Sequence, residues 1–382
     1  MPLRNSARTA LGILCAAAAL SAVAVPAAQA HGAAPAAKGG TSHLELRLFA
    51  AAPAGLTHPD DLTRLGNVLY VAYQNNAGPD GTPAGSKSDI VGYDIRTGKA
   101  LHHWMLPGRV DGIVGDPRHG RLLASVNEDL NSSLYAITPA RKSTAVQHYH
   151  YSPSPAQTSA AGTNGGTDAL TVSANGTVYI AHSNPNVSLP GANNTAATYT
   201  VKLSGTTAKL TPLFGVNDVA RVINPAKGVP AKAKLGLTDP DSNRWIAGRD
   251  GGTLIQDAQA DSKLVFVTDL DAKHPVVRQL NLINTRTPST GAGLPTLDDI
   301  ERAGGAGVLF VADQGTGTIY RAATEDFRRG TLFGSQPAPA AGEHNDAGLA
   351  VIDTRTGGVT HLNTGAALQN PKGLLFVPSE RD

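Results

Sequence analysis

The sequence predicts an all-β fold, a β-propeller of six blades, and two observations carry that reading. One pattern recurs: an Asp or its stand-in, a short strand, a Gly- or Asn-containing turn and an apolar strand. It starts six times, at "HPDDLTRLGNVLYVAYQ", "RVDGIVGDPRHGRLLASVN", "GTDALTVSANGTVYIAHS", "DPDSNRWIAGRDGGTLIQDAQADSKLVFVTD", "TLDDIERAGGAGVLFVADQ" and "NPKGLLFVP". The second observation is composition: 42 Gly and 25 Pro in 382 residues, with no long helical periodicity, fit a turn-dense β chain.

The N-terminal segment reads as an export signal. Arg4 and Arg8 precede the apolar "LGILCAAAALSAVAVPA", and Ala28-Gln29-Ala30 fits a small-x-small cleavage site, so cleavage is expected after Ala30. The only cysteine, Cys15, lies in this segment. The expected mature chain therefore has no disulfide and relies on a large apolar core. Residues 31–42 are small and polar and read as a flexible spacer; 43–382 read as one propeller domain.

The key positions of the six starts are taken as Asp61, Asp111, Asp168, Asp241, Asp299 and Lys372, at intervals of 50, 57, 73, 58 and 73 residues. Each start is followed by material for two more strands. "SDIVGYDIRTGKALHHWML" alternates along one strand, turns at Arg96–Lys99 and returns, and "GLAVIDTRTGGVTHLN" repeats that arrangement near the C-terminus. "LELRLF" (44–49) reads as an outer strand before the first start, and "GLLFVP" (373–378) as an inner strand with none after it. Pairing of these terminal strands in one blade would close the ring and remove its open edges. A seven-bladed ring, with strands supplied by 325–347, is the alternative.

"GNVLYVAYQN", "AGVLFVADQGTGTIYRA" and "NPKGLLFVP" resemble blades of the NHL, SMP-30 (gluconolactonase-like) and YncE-like propeller superfamily, here as a bacterial secreted member. The resemblance implies the fold over about 55–378. It leaves activity open, because that superfamily holds lactonases, esterases, a lyase and non-enzymatic binding proteins. SMP-30-like hydrolases hold a divalent cation at the ring centre, and by resemblance Asp61, Asn127, Asp168, Asp241 and Asp299 are the candidate ligands. The chain departs from that pattern where a glutamate precedes the first inner strand: it has His58-Pro59-Asp60-Asp61.

Propeller geometry itself brings the start of each inner strand and the end of the next strand together at the channel mouth. The starts carry His58, Asp60, Asp61, Asp111, Asp168, Asp239, Asp241, Asp298, Asp299 and Lys372; the ends carry Asn127, Glu128, His182, Asn184, Asp313 and Gln314, among others. Such oxygen donors suit Ca²⁺ or another divalent cation. They equally suit Asx-type caps, which a repeat would reproduce in every blade. Ligand-binding candidates beside the metal set are His58, Asp60, Asp111, Glu128, His182, Asp313, Lys372 and Trp245, the last flanked by Arg244 and Arg249 as a stacking surface or else an inter-blade plug. His148 and His150 share one face of a strand, without a carboxylate nearby.

Charge excludes other classes. Removing Arg4 and Arg8 leaves 30 basic residues against 30 acidic, with no basic block to draw nucleic acid, and no span outside the signal reaches membrane length. No phosphate-loop, Gly-x-Ser-x-Gly or His-Glu-x-x-His pattern occurs, so no catalytic residue and no organic cofactor is indicated. The expectation is a monomeric secreted propeller that binds an extracellular small molecule, polysaccharide or protein through its acidic face. The alternative is a divalent-metal-dependent hydrolase of lactones or esters.

Overall fold

The structure, a computed structural model, describes residues 43–141, 145–155, 165–187, 195–248, 251–340 and 343–379. The segments read from the sequence as signal and spacer, Arg249 and most of the Ser/Pro/Gly-rich loop after residue 152 lie outside these residues. No helix among the described residues is long and apolar enough to cross a membrane.

The chain is all-β, its strands arranged as propeller-like blades around an axis. After β1 (Arg47–Ala51), β2 (Pro59–Leu65), β3 (Val68–Tyr73), β4 (Lys87–Asp94) and β5 (Ala100–Pro107) form one antiparallel sheet. Next come β6 (Val110–Asp116), β7 (Arg121–Val126), β8 (Ser133–Ile137) and β9 (Val146–Ser152), then β10 (Thr167–Val172), β11 (Val178–His182), β12 (Ala196–Ser204) and β13 (Thr207–Gly215). These two antiparallel sets of four join into one eight-stranded sheet, because β9 and β13 pair in parallel along their outer edges. The hairpin of β14 (Val219–Val222) and β15 (Lys232–Lys234) lies outside β16 (Pro240–Ile246), β17 (Thr253–Ala258), β18 (Lys263–Thr268) and β19 (Val276–Asn281).

The last third is threaded differently from the sequence expectation. β20 (Ile283–Asn284) and β21 (Ile300–Ala303) precede the hairpin β22 (Gly307–Asp313) and β23 (Thr318–Ala323). "TLDDIERAGGAGVLFVADQ" had been read as two neighbouring strands of one blade. Instead β21 pairs with β24 (Thr331–Gln336), which continues into β25 (Gly348–Ile352) and β26 (Gly358–His361). Gly304 and Gly305 take positive φ, and a Cβ on Gly304 would lie 2.0 Å from the Arg328 carbonyl oxygen, so this Gly pair carries a crossing between sheets. The stretch 325–347 thereby supplies β24 to the sheet of β21.

β27 (Pro371–Pro378), β22, β23 and β1 form the remaining sheet, in that order. The terminal strands therefore do share a sheet, but they occupy its opposite edges and do not bond to each other. Strands β2, β6, β10, β16, β21 and β27 touch one another in this order, and β27 returns to β2. Six buried apolar clusters lie between consecutive sets of strands; Leu62, Val71, Tyr93 and Phe310 form one, and Leu44, Leu309, Phe333 and Leu374 another. The alternation of strand side chains places these residues face to face, and their burial supplies the main stabilising term.

Candidate functional site at the ring centre

Each inner strand carries the same irregularity. In the first sheet Pro59 pairs with Tyr73 and Leu62 with Val71, so Asp60 and Asp61 together oppose Ala72. The same two-against-one step places Asp111–Gly112 against Ser125, Asp168–Ala169 against Ala181, Asp241–Ser242 against Asp257, and Lys372–Gly373 against Ala312. Asp298 and Asp299 both bond to Ser335, through an Asp298 N–H to its carbonyl (3.0 Å) and its N–H to the Asp299 carbonyl (2.9 Å). A β-bulge re-aims a side chain, and here it turns its first residue toward the axis.

This register corrects the repeat by one residue in two places. The equivalent positions are Asp60, Asp111, Asp168, Asp241, Asp298 and Lys372. Asp61 and Asp299 belong to the following column, which elsewhere holds Gly112, Ala169, Ser242 and Gly373. Residues of that column stand where neighbouring inner strands meet. Asp61 accepts the N–H of Leu62 (2.7 Å) and, with its other oxygen, that of Ile113 in the next inner strand (2.8 Å). Asp299 likewise accepts Ile300 N–H and Leu374 N–H, both at 2.7 Å, with Ser242 Oγ at 2.5 Å. Both residues line the cleft, but their oxygens are committed to these staples.

The first column converges on a cleft of about 230 Å³, walled further by Arg109, Glu128, Asn184, Asp239 and Gln259. One oxygen from each of Asp111, Glu128 and Asp168 lies within 4.8 Å of the others. A cation bonded to three oxygens at about 2.3–2.6 Å requires separations of up to about 5 Å, so this set fits a hard divalent ion. Arg109 stands beside it, 3.3 Å from Asp111 and 2.8 Å from Glu128. Three carboxylates and one guanidinium sum to a charge that a dication cancels. On the other side Lys372 Nζ donates to Asp298, close to Asp60 and Asp241.

Burial first, and crowding of like charge second, raise most of these carboxyl pKa values. Burial, then Asp111 and Asp298, hold Asp60 well above the usual carboxylate range; burial, then Asp111 and Asp241, do the same for Asp168. Burial, then Asp298 and Asp239, also raise Asp241. Glu128 is pushed up to about 8 by burial and Asp111, although a fifth of its side chain faces solvent, and Asp239 to about 6 by burial and Asp261. Burial is the largest single influence on Asp111 and raises it, but Arg109, the hydrogen bonds from Asp168 and Glu128, and Lys372 together hold that group below its ordinary value.

Arg244, on β16, is held among the same inner strands. It bonds Asp299 (2.6 Å) and the Leu374 carbonyl (2.9 Å), with Glu301 at 3.4 Å and Asp61 at 3.9 Å. Burial pushes Asp61 and Glu301 each up to about 7, with Arg244 opposing it. Sequence reasoning missed Arg244 and Glu301 here, because the repeat varies freely in their column. It also missed Asp257, which stands where Ser125 and Ser335 stand in other sheets.

Other candidates lie elsewhere. Trp245 neighbours Arg244 on one strand, so the two side chains point to opposite faces and share no stack. Trp245 packs into a buried cluster and donates Nε1–H to the Gly251 carbonyl (3.2 Å). Asn127 takes positive φ and accepts the Arg109 N–H at 3.0 Å behind the cleft. His182 is buried against the Ala196 carbonyl (2.8 Å), and burial drives its imidazole down to about 4, so it stays neutral. Asp313 accepts the N–H groups of Gln369 and Asn370 and clamps that turn. His58, at positive φ, meets Thr57 Oγ1 at 3.1 Å outside the cleft lining. His148 packs on Tyr135 and His150, with ring centroids 4.5 and 4.4 Å apart.

No protein-family model matches the sequence, and no curated protein does. Among solved structures the chain is similar to Kuenenia stuttgartiensis hydrazine synthase (15% identity, TM-score 0.40, covering 82% of this chain and 68% of that one). It is also similar to a protein from Lactobacillus plantarum (12%, 0.44, 84% and 89%) and to regucalcin of Agrobacterium tumefaciens, described as a calcium-binding protein (11%, 0.43, 85% and 80%). At these scores no residue's role is transferred from them.

Proposed function

We propose that this chain is an exported six-bladed propeller that binds a divalent cation at its ring centre and, through it, a small polar ligand. The observation that carries the reading is the convergence of Asp111, Glu128 and Asp168 oxygens within 4.8 Å in a cleft. The closed circuit of six inner strands and the six inter-sheet clusters support the blade count. Asp111, Glu128 and Asp168 would hold the ion, which would supply positive charge to an anionic or carbonyl oxygen of the ligand. Export favours calcium, since extracellular modules work with dissociation constants of about 10⁻⁴–10⁻³ M. A second reading, a metal-dependent hydrolase, draws support from Asp239, which lines the same cleft outside the ligand set and whose pKa, raised to about 6 by burial and Asp261, suits proton transfer near neutral pH.

The test is the metal content of the purified chain before and after chelation, followed by dialysis against calcium or magnesium. About one divalent ion per chain regained after dialysis is expected. A chain that regains none refutes the reading. Hydrolysis of a lactone or ester panel that is lost in Asp239→Asn while calcium binding persists would favour the second reading over simple binding.

A further inference from the structure

Lys372 occupies the ring position that holds aspartate in the other five inner strands. Its ammonium donates to Asp298 and stands in the fields of Asp60 and Asp241, with a fifth of the side chain exposed. The remaining donors to this side of the cleft are neutral amides: Gln259 reaches Asp298 at 3.2 Å and Gln314 reaches Asp60 at 3.3 Å.

An independent observation concerns a buried carboxylate near Asp298. Asp257 is 1% exposed, and among the described residues no cation and no side-chain donor pairs with its carboxylate oxygens. Its strand neighbour Gln256 turns to Thr198, so Asp257 points the opposite way, toward Asp298 and Asp299. In two other sheets a serine hydroxyl takes this place and accepts an inner-strand N–H, from Gly112 to Ser125 and from Asp299 to Ser335.

We infer that Lys372 is the built-in counter-ion of the cleft: as a tethered cation it fills the half formed by Asp60, Asp241 and Asp298, and it thereby confines exchangeable cations to the half formed by Asp111, Glu128 and Asp168. The inference rests on the cation-binding reading only for the ion count of the unaltered chain. Lysine suits the role because a compact ammonium on a flexible stem can sit among several oxygens, as a small cation does. Removing one partner of such a buried arrangement leaves uncompensated charge, which a free cation then neutralises.

The experiment compares the chelator-stripped full chain with its Lys372→Met variant at pH 8, by calorimetric calcium titration and by melting. The unaltered chain is expected to bind one ion and the variant two. Without calcium the variant should melt roughly 5 °C lower, and calcium should restore it. A variant that binds no more calcium than the unaltered chain, and whose Tm does not respond, overturns the inference. An unaltered chain that binds none while the variant binds one overturns the functional reading and leaves this inference standing. If the single variant fails to fold, Lys372→Met with Asp298→Asn removes charge and counter-charge together. That double variant should fold and melt within a few degrees of the unaltered chain, and its failure to fold overturns the inference.

Discussion

At the residue scale, the adjacent carboxylates of the two Asp-Asp pairs have opposite duties. Asp60 and Asp298 point to the axis; Asp61 and Asp299 tie neighbouring inner strands together through buried N–H groups. Asp61→Ala leaves the Leu62 and Ile113 N–H groups without an acceptor, at about 1–3 kcal/mol each. It should lower unfolding stability in urea by that order and leave calcium affinity within a few-fold. Asp168→Asn keeps an oxygen for the Ala169 N–H and removes a charge crowded by Asp111 and Asp241. Its cation-free stability should be unchanged or higher, while its calcium binding falls at least tenfold in the same titration. The sequence alone could not choose between the members of each pair, because a one-residue slip in a strand exchanges inward and outward faces. The usable signal was the small residue after Asp111, Asp168, Asp241 and Lys372, a column in which Asp61 and Asp299 stand out as substitutions.

At the element scale, the bulged inner strand is the repeating device, and close packing of inner strands demands small residues behind it. A Cβ on Gly112 would lie 2.6 Å from the Ala169 Cα, and one on Gly373 would lie 2.4 Å from the Asp60 carbonyl oxygen. Gly112→Ala and Gly373→Ala should each lower the urea midpoint by the equivalent of about 1–3 kcal/mol. A loss below a few tenths in both would show that the inner strands are not in contact as described. Strand existence was legible from alternation and from the Asp94 and Asp353 turns, which accept the N–H groups of Arg96 and Arg355. Strand partnership was legible within local hairpins, such as β4 with β5, and not in the last third. β21 and β22 are adjacent in sequence and lie in different sheets, and neither local propensity nor period records which sheet a strand joins.

At the scale of the whole molecule, the acidic centre couples stability to pH and to cations. A carboxyl whose pKa is raised in the fold keeps a proton that the unfolded chain has released. Its stabilisation is present below the unfolded value and is lost as pH rises through the folded one. For Glu128 that window runs from its ordinary value of 4.5 to about 8, and for Asp61 from 3.8 to about 7. Each such group removes up to about 1.4 kcal/mol per pH unit inside its window. The cation-free chain should therefore melt at a higher temperature at pH 5 than at pH 8, and calcium should raise Tm at pH 8 much more than at pH 5. A melting temperature flat across this range would contradict the electrostatic description of the cleft.

The most direct measurement is a calorimetric titration of calcium into the chelator-stripped chain at pH 8, run beside Asp168→Asn and Asp61→Ala. A single site in the unaltered chain, lost in Asp168→Asn and retained in Asp61→Ala, is the predicted result. No binding in the unaltered chain, or binding that survives Asp168→Asn and disappears in Asp61→Ala, would contradict the assignment of the ring centre.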